Sequence, residues 1–393
     1  MTLNTHPIAS LDSWIVQTDE VELAVSRLGG MMAPVTFFRN SKESVQPYFV
    51  NPWHAEGLAI DEPVLVPLRG DFFCMPFGAA GTHSGIDFPT HGEPATKEWG
   101  NAALAKEGKL TLFSASLKTS LQKGSIAKRI WLKEGENTLY IQHELSGYHC
   151  ITSLGHHATL APGAENGSMN ISTSPIKFAM TTPRSPGPTL GGEYYALPPG
   201  VHFERLSAIP TIWKDPSWTD CSVFPMREGF DDVIGLCAEP SQDDEGATLP
   251  AWTAAVFPEK GFVWFSLKDP EVLPTTVVWM ENKGRHQSPW QGRTTCIGLE
   301  EVCGFLARPV SEAVDSNAFT SHGVKSAHTL TPAVPLKINA IQGVARVPRD
   351  FHRVAEVRFG SGEITMISNS GKSVSVAVGH DFIATGAMQS EGH

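Results

Sequence analysis

A two-residue alternation of apolar and polar side chains recurs along most of the chain, and it restricts the fold more than any other feature. The stretch KLTLFSASLKTS (Lys109 to Ser120) alternates cleanly, and GSIAKRIWLKEGENTLYIQHEL reads as two strands around a turn at Lys133–Asn137. In the second of these, Leu139, Ile141, His143 and Leu145 share one face, while Tyr140, Gln142 and Glu144 take the other. GFVWFSLKD, TTVVWMEN and TTCIGLEE continue the pattern between Gly261 and Glu301, and VAEVRFGSGEITMIS with KSVSVAVGHDF reads as a terminal meander. The 36 glycines and 29 prolines supply the turns that many short strands need. Helical signals are few, with NAALAKEG (Asn101 to Gly108) as one candidate. No repeat of solenoid or propeller length is present. The expectation is an all-β chain: a large antiparallel β-sandwich forming one domain over residues 1–393, with a C-terminal β-segment from about Pro332 that is either appended or supplies the sandwich's closing strands. The Pro/Gly-rich stretch Thr181 to Gly200 reads as a loop over a binding face.

Charge and cysteine usage narrow the function. The formal net charge is −11 and no run of Lys or Arg occurs, which argues against nucleic acid or an anionic membrane as partner. The first twenty residues carry neither a basic nor an apolar region of signal-peptide type, and no stretch approaches a membrane span. The six cysteines are scattered without a CxxC pair, so reduced thiols are expected and neither a disulfide scaffold nor a metal site. These features point to the cytoplasm and to a small-molecule partner; they leave the oligomeric state open.

Four stretches break the strand pattern. VLVPLRGDFFCMPFG (Val64 to Gly78) sets Arg69 and Asp71 among apolar residues, either as an internal salt bridge or as ligand contacts. FPTHGEPATKEWG (Phe88 to Gly100) places His91 beside Gly92 and Glu93. LGHHATLAPG (Leu154 to Gly163) carries the doublet His156–His157, and WQGRTTCIGLEEVCGF (Trp290 to Phe305) carries the doublet Glu300–Glu301.

In this order, PLRG, PFG, HGE, a Gly-His-His strand and a strand ending in GLE resemble the aldose 1-epimerase (galactose mutarotase) family. The hexose-6-phosphate mutarotases and related sugar epimerases are the nearest branches. The resemblance spans about Val21 to Phe305 and implies a β-supersandwich with a sugar groove on one concave face. It also implies interconversion of α- and β-anomers by acid–base ring opening without a cofactor, on a sugar or sugar phosphate. The alternative is a carbohydrate-binding or sensing protein that kept the groove and lost turnover.

By this resemblance, the histidine of the GHH strand is the general acid and the glutamate of GLE the general base. Arg69 and His91 match positions that hold the ring oxygen and neighbouring hydroxyls. Glu93 either bonds a hydroxyl or braces His91, Asp220 in WTDCSVFP matches a hydroxyl-contacting aspartate, and Trp279 is a candidate groove wall. Arg285, His286 and Arg293 either meet a substrate phosphate or are solvated loop charges. After the histidine, Ala158, Thr159 and Leu160 replace the aromatic residues common in the family, which implies a smaller wall there.

Alternation chooses within each doublet. His156 shares a face with Leu154, Ala158 and Leu160, whereas His157 shares one with Ser153, Gly155 and Thr159. Glu301 goes with Ile297 and Leu299, whereas Glu300 goes with Cys296 and Gly298. The small or polar sets suit a sugar groove, so His157 and Glu300 are the expected pair.

Overall fold

The computed structural model describes residues 3–163, 165–183 and 193–388. Two large antiparallel sheets face each other across one hydrophobic core. The six-stranded sheet runs, in spatial order, Ile176–Thr181, Phe230–Ala238, Thr275–Asn282, Thr295–Cys303, Leu154–Leu160 and Phe73–Cys74. The nine-stranded sheet runs Val223–Phe224, Met169–Thr173, Ala251–Phe257, Phe262–Lys268, Leu336–Arg346, Thr138–Ser146, Gly124–Lys133, Leu110–Thr119 and Gly100–Glu107. Leu154, Ala158, Leu160, Val278, Ile297 and Leu299 project from the first sheet against Ile126, Ile130, Leu139, Ile141, Trp264 and Ile338 of the second. A four-stranded sheet, His6–Ile8, Leu11–Gln17, Val21–Ser26 and Met32–Phe37, adds Trp14, Leu23 and Phe37 to the same core.

Each large sheet is covered on its other face as well, which is why their central strands are buried throughout. A second apolar cluster joins Phe72, Val277, Trp279 and Cys296 to loop residues Trp53, Val64, Leu68 and Trp290. The outer face of the nine-stranded sheet is covered by Val354–Gly360, Glu363–Ser368 and Ser373–Ala377, whose Ile364 and Met366 pack with Trp252, Phe265 and Ile341.

One expectation changes. Asn101–Gly108 is not helical: Gly100–Glu107 is an edge strand paired with Leu110–Thr119. An Ala/Lys/Glu composition favours helix only weakly, and pairing with an available sheet edge overrides it. Of the two readings open for the segment from Pro332, Leu336–Arg346 follows the closing-strand one, since it lies inside the nine-stranded sheet between Phe262–Lys268 and Thr138–Ser146. All six cysteines are free thiols. Among the described residues no helix is long and apolar enough to cross a membrane.

Candidate active site

Leu154–Leu160 and Thr295–Cys303 are adjacent antiparallel strands whose register sets His157 directly opposite Glu300 and His156 opposite Glu301. Successive side chains of a strand leave on opposite faces, so one His/Glu pair points out of the sandwich and the other into it. The outward pair meets: His157 Nε2 lies 3.2 Å from Glu300 Oε1. Gly298 makes this possible, because a Cβ there would run into the Glu300 carboxyl.

His157 is held from several sides. Its ring stacks on Phe72 at 4.5 Å between centroids, and its backbone N–H donates to the Phe72 carbonyl. Nδ1 lies 3.0 Å from Thr159 Oγ1, which fits an Nδ1–H donor and leaves Nε2 for Glu300. His91 and Trp279 stand edge-on to the ring at 4.8 and 5.8 Å. His91 sits in a left-handed turn (φ 59°), and Gly92 follows at φ 75°, where a Cβ would overlap the Met75 carbonyl. Gly78 N–H donates to His91 Nδ1 at 3.4 Å, which leaves the ring proton on Nε2.

His91, His157, Trp279 and Glu300 all line one cavity of about 550 Å³, large enough for a monosaccharide. Its other walls come from the loops around Ile60–Leu65 and Gln287–Trp290, with Arg285, Glu193 and Tyr195. Thr182, Glu193 and Tyr195 bring the expected Thr181–Gly200 loop onto this cavity, although residues 184–192 lie outside those described.

Burial disfavours charge here. It holds His157 well below the usual histidine range, helped by His91 and Arg285, and lowers His91 to about 3, again with Arg285. Glu300 is pushed well above the usual carboxyl range by burial, partly countered by Arg285. The resting pair therefore carries one exchangeable proton across the Nε2···Oε1 contact.

Arg285, for which the sequence leaves a phosphate contact or a solvated charge open, lines the cavity. Its guanidinium lies over Trp279 at 4.9 Å and Trp290 at 5.1 Å, and Nε donates to Asp231 at 2.9 Å. Asp231 also accepts from Trp279 Nε1, so one buried carboxylate fixes two side chains of the wall. Glu281 stands opposite Asp231 in the register; burial and that neighbour push it up to about 9, which keeps it uncharged at neutrality. Asp231 lies in no motif of the sequence, and Phe72, which stacks on His157, reads there as ordinary core.

Three expected contacts lie elsewhere. Arg69 is buried and spends its guanidinium on the carbonyls of Pro67, Ile8 and Ala9, tying the 67–70 segment to the N-terminal hairpin. It forms no salt bridge with Asp71, which instead accepts from or pairs with His156 Nδ1 at 2.9 Å. Glu93 neither faces the cavity nor braces His91; it accepts from Ser120 N, Ser120 Oγ and Leu121 N, capping a turn. Asp220 accepts from the backbone and hydroxyl of Ser222, an Asx-type turn contact. In each case nearby backbone donors or acceptors satisfy a side chain that the motif alone left free.

No protein-family model and no curated sequence matches the chain. Solved structures do match. A galactose mutarotase-like protein from Clostridium acetobutylicum is 11% identical, covering 88% of this chain and 98% of its own, with a TM-score of 0.59. A galactose mutarotase related enzyme from Lactobacillus acidophilus is 12% identical, covering 86% and 98%, with a TM-score of 0.52. At such identities the shared property is architecture: the chain has a galactose mutarotase-like fold.

Proposed function

We propose that the chain is a cofactor-independent mutarotase, an aldose 1-epimerase-like isomerase that interconverts the α- and β-anomers of a monosaccharide. The observation that carries this reading is the His157–Glu300 pair, two proton carriers 3.2 Å apart on the wall of a sugar-sized cavity. The free thiols accord with a reducing cytoplasm as its location.

The proton count balances with this pair alone. In the charged form, His157 gives its Nε2 proton to the ring oxygen while Glu300 takes the proton of the anomeric hydroxyl. The C1–ring-oxygen bond breaks, C1 becomes a carbonyl, and the pair is left uncharged. Rotation about C1–C2 presents the other carbonyl face. Closure returns the proton from Glu300 to the C1 oxygen, and His157 recovers the proton of the attacking hydroxyl. The uncharged form, which burial favours, thus accompanies the open-chain sugar. One proton transfer within the pair interconverts the two forms in the free protein. His91, neutral with its proton on Nε2, serves as a hydrogen-bond donor to sugar oxygens and not as an acid. Trp279 offers an apolar wall to the ring.

Optical rotation of freshly dissolved α-glucose and α-galactose tests the proposal. Acceleration over the spontaneous rate, saturable in sugar, is expected. Binding of these sugars without acceleration would replace the enzyme reading with the sensing one.

A further inference from the structure

The ionisable groups on the cavity wall do not balance. Two guanidiniums line it, and both are already engaged: Arg285 with Asp231 at 2.9 Å and Glu193 at 3.9 Å, and Arg308 with both carboxylate oxygens of Glu312 at 2.9 and 2.6 Å. The other two groups considered for a phosphate do not line it. Arg293 is held by both oxygens of Glu56, and His286 packs edge-on against Tyr194. Asp61 and Glu62 also line the cavity, and among the described residues neither has a cationic partner. Asp61 is exposed; Glu62 is half-buried, and burial raises its carboxyl above the usual range, so Asp61 carries the firmer charge of the two.

From this arrangement we infer that Asp61 and Glu62 are specificity-determining residues that exclude anionic sugars, phosphate esters and uronates alike, from the cavity. The inference rests on the mutarotase reading of the site. A phosphate group would need unengaged donors with positive charge to offset its desolvation. Here it would meet guanidiniums already engaged by carboxylates, with Asp61 and Glu62 on the same wall. Coulomb repulsion across a partly solvated mouth falls with ionic strength, which gives the filter a signature that simple steric exclusion lacks.

The test compares kcat/KM for glucose with that for glucose 6-phosphate, a ratio in which general losses of folding or activity cancel. The wild-type protein should favour the unphosphorylated sugar by about tenfold or more at low salt, with the ratio shrinking as salt rises. The double variant Asp61→Asn, Glu62→Gln should shrink it further. A ratio at or below one, or a ratio unchanged in the double variant, overturns the filter. Failure of the mutarotase reading looks different, because neither compound is then turned over. Inorganic phosphate, titrated calorimetrically, takes its place in that case. Binding that appears only in the double variant supports the filter, whereas binding to the wild type, or no change between the two, overturns it.

Discussion

Within one two-strand ladder the same two residue types stand opposite each other twice, on opposite faces, with opposite outcomes. On the cavity face His157 and Glu300 touch each other and little else that is charged. On the core face His156 and Glu301 are equally opposed, yet each turns to a different partner. His156 takes Asp71, and Glu301 takes Lys268 together with Thr276 Oγ1. The core face is closed by a second sheet that brings Lys268 to Glu301, and each member of the core pair is fixed by its own partner. The cavity face is covered by loops that leave a cavity, and there, among the described residues, the His157–Glu300 contact stands without a second ion pairing either member. Chemical competence here comes from what lies across from the pair, not from the pair itself.

The comparison can be broken most sharply at His157. His157→Asn should lower kcat by about 10²–10⁴-fold in a mutarotation assay, with a smaller change in KM. The core face should answer in stability instead. Glu301→Gln leaves the buried Lys268 without its counter-ion, and urea unfolding should show a loss of about 3–5 kcal/mol. Its rate per folded molecule should remain within a few-fold of wild type, and a loss as large as that of His157→Asn would erase the distinction between the faces.

Arg285 sharpens the electrostatics. It lowers both His157 and Glu300, so Arg285→Gln should move both limbs of the pH–rate profile toward alkaline pH, by about one unit or less. A change in KM alone would leave Arg285 as a binding residue only.

A further prediction concerns acid stability. His91 is about 3 in the fold against an ordinary 6.5, so the unfolded chain binds its proton first. The stability it supports is complete above about pH 6.5 and lost as pH falls toward 3, at roughly 1.4 kcal/mol per pH unit. Glu281, raised to about 9, runs the other way: its contribution is present below about 4.5 and declines as pH rises through 9. The two trends oppose each other between 4.5 and 6.5, so the acid loss should be steepest below about 4.5. Urea midpoints measured at pH 7, 4.5 and 3.5 should follow that curve, and His91→Gln should flatten its acid limb.

Much of this was legible in the sequence because strands report their faces. Alternation alone separated His157 from His156 and Glu300 from Glu301, and the register then set the selected residues opposite each other. It failed where backbone geometry decides. Arg69, Glu93 and Asp220 are satisfied by carbonyls and amides of turns that no periodicity encodes. Arg285 and the Asp61–Glu62 wall lie on loops, where a side chain's direction depends on folding at a distance. Alternation suggests that Gly298 leaves room for a ligand, whereas the space is taken by Glu300 itself. The smaller residues after His157 act differently from expectation too: Ala158 and Leu160 belong to the core, and Thr159 orients the imidazole.

The central claim is that the cavity-face pair moves the proton, and Glu300→Gln tests it most directly. Gln keeps the shape and removes the acceptor, and cooperative thermal unfolding can establish that the variant is folded. Polarimetry on fresh α-anomers should then return the spontaneous rate for the variant and an accelerated rate for the wild type. Wild-type acceleration by folded Glu300→Gln would contradict the account.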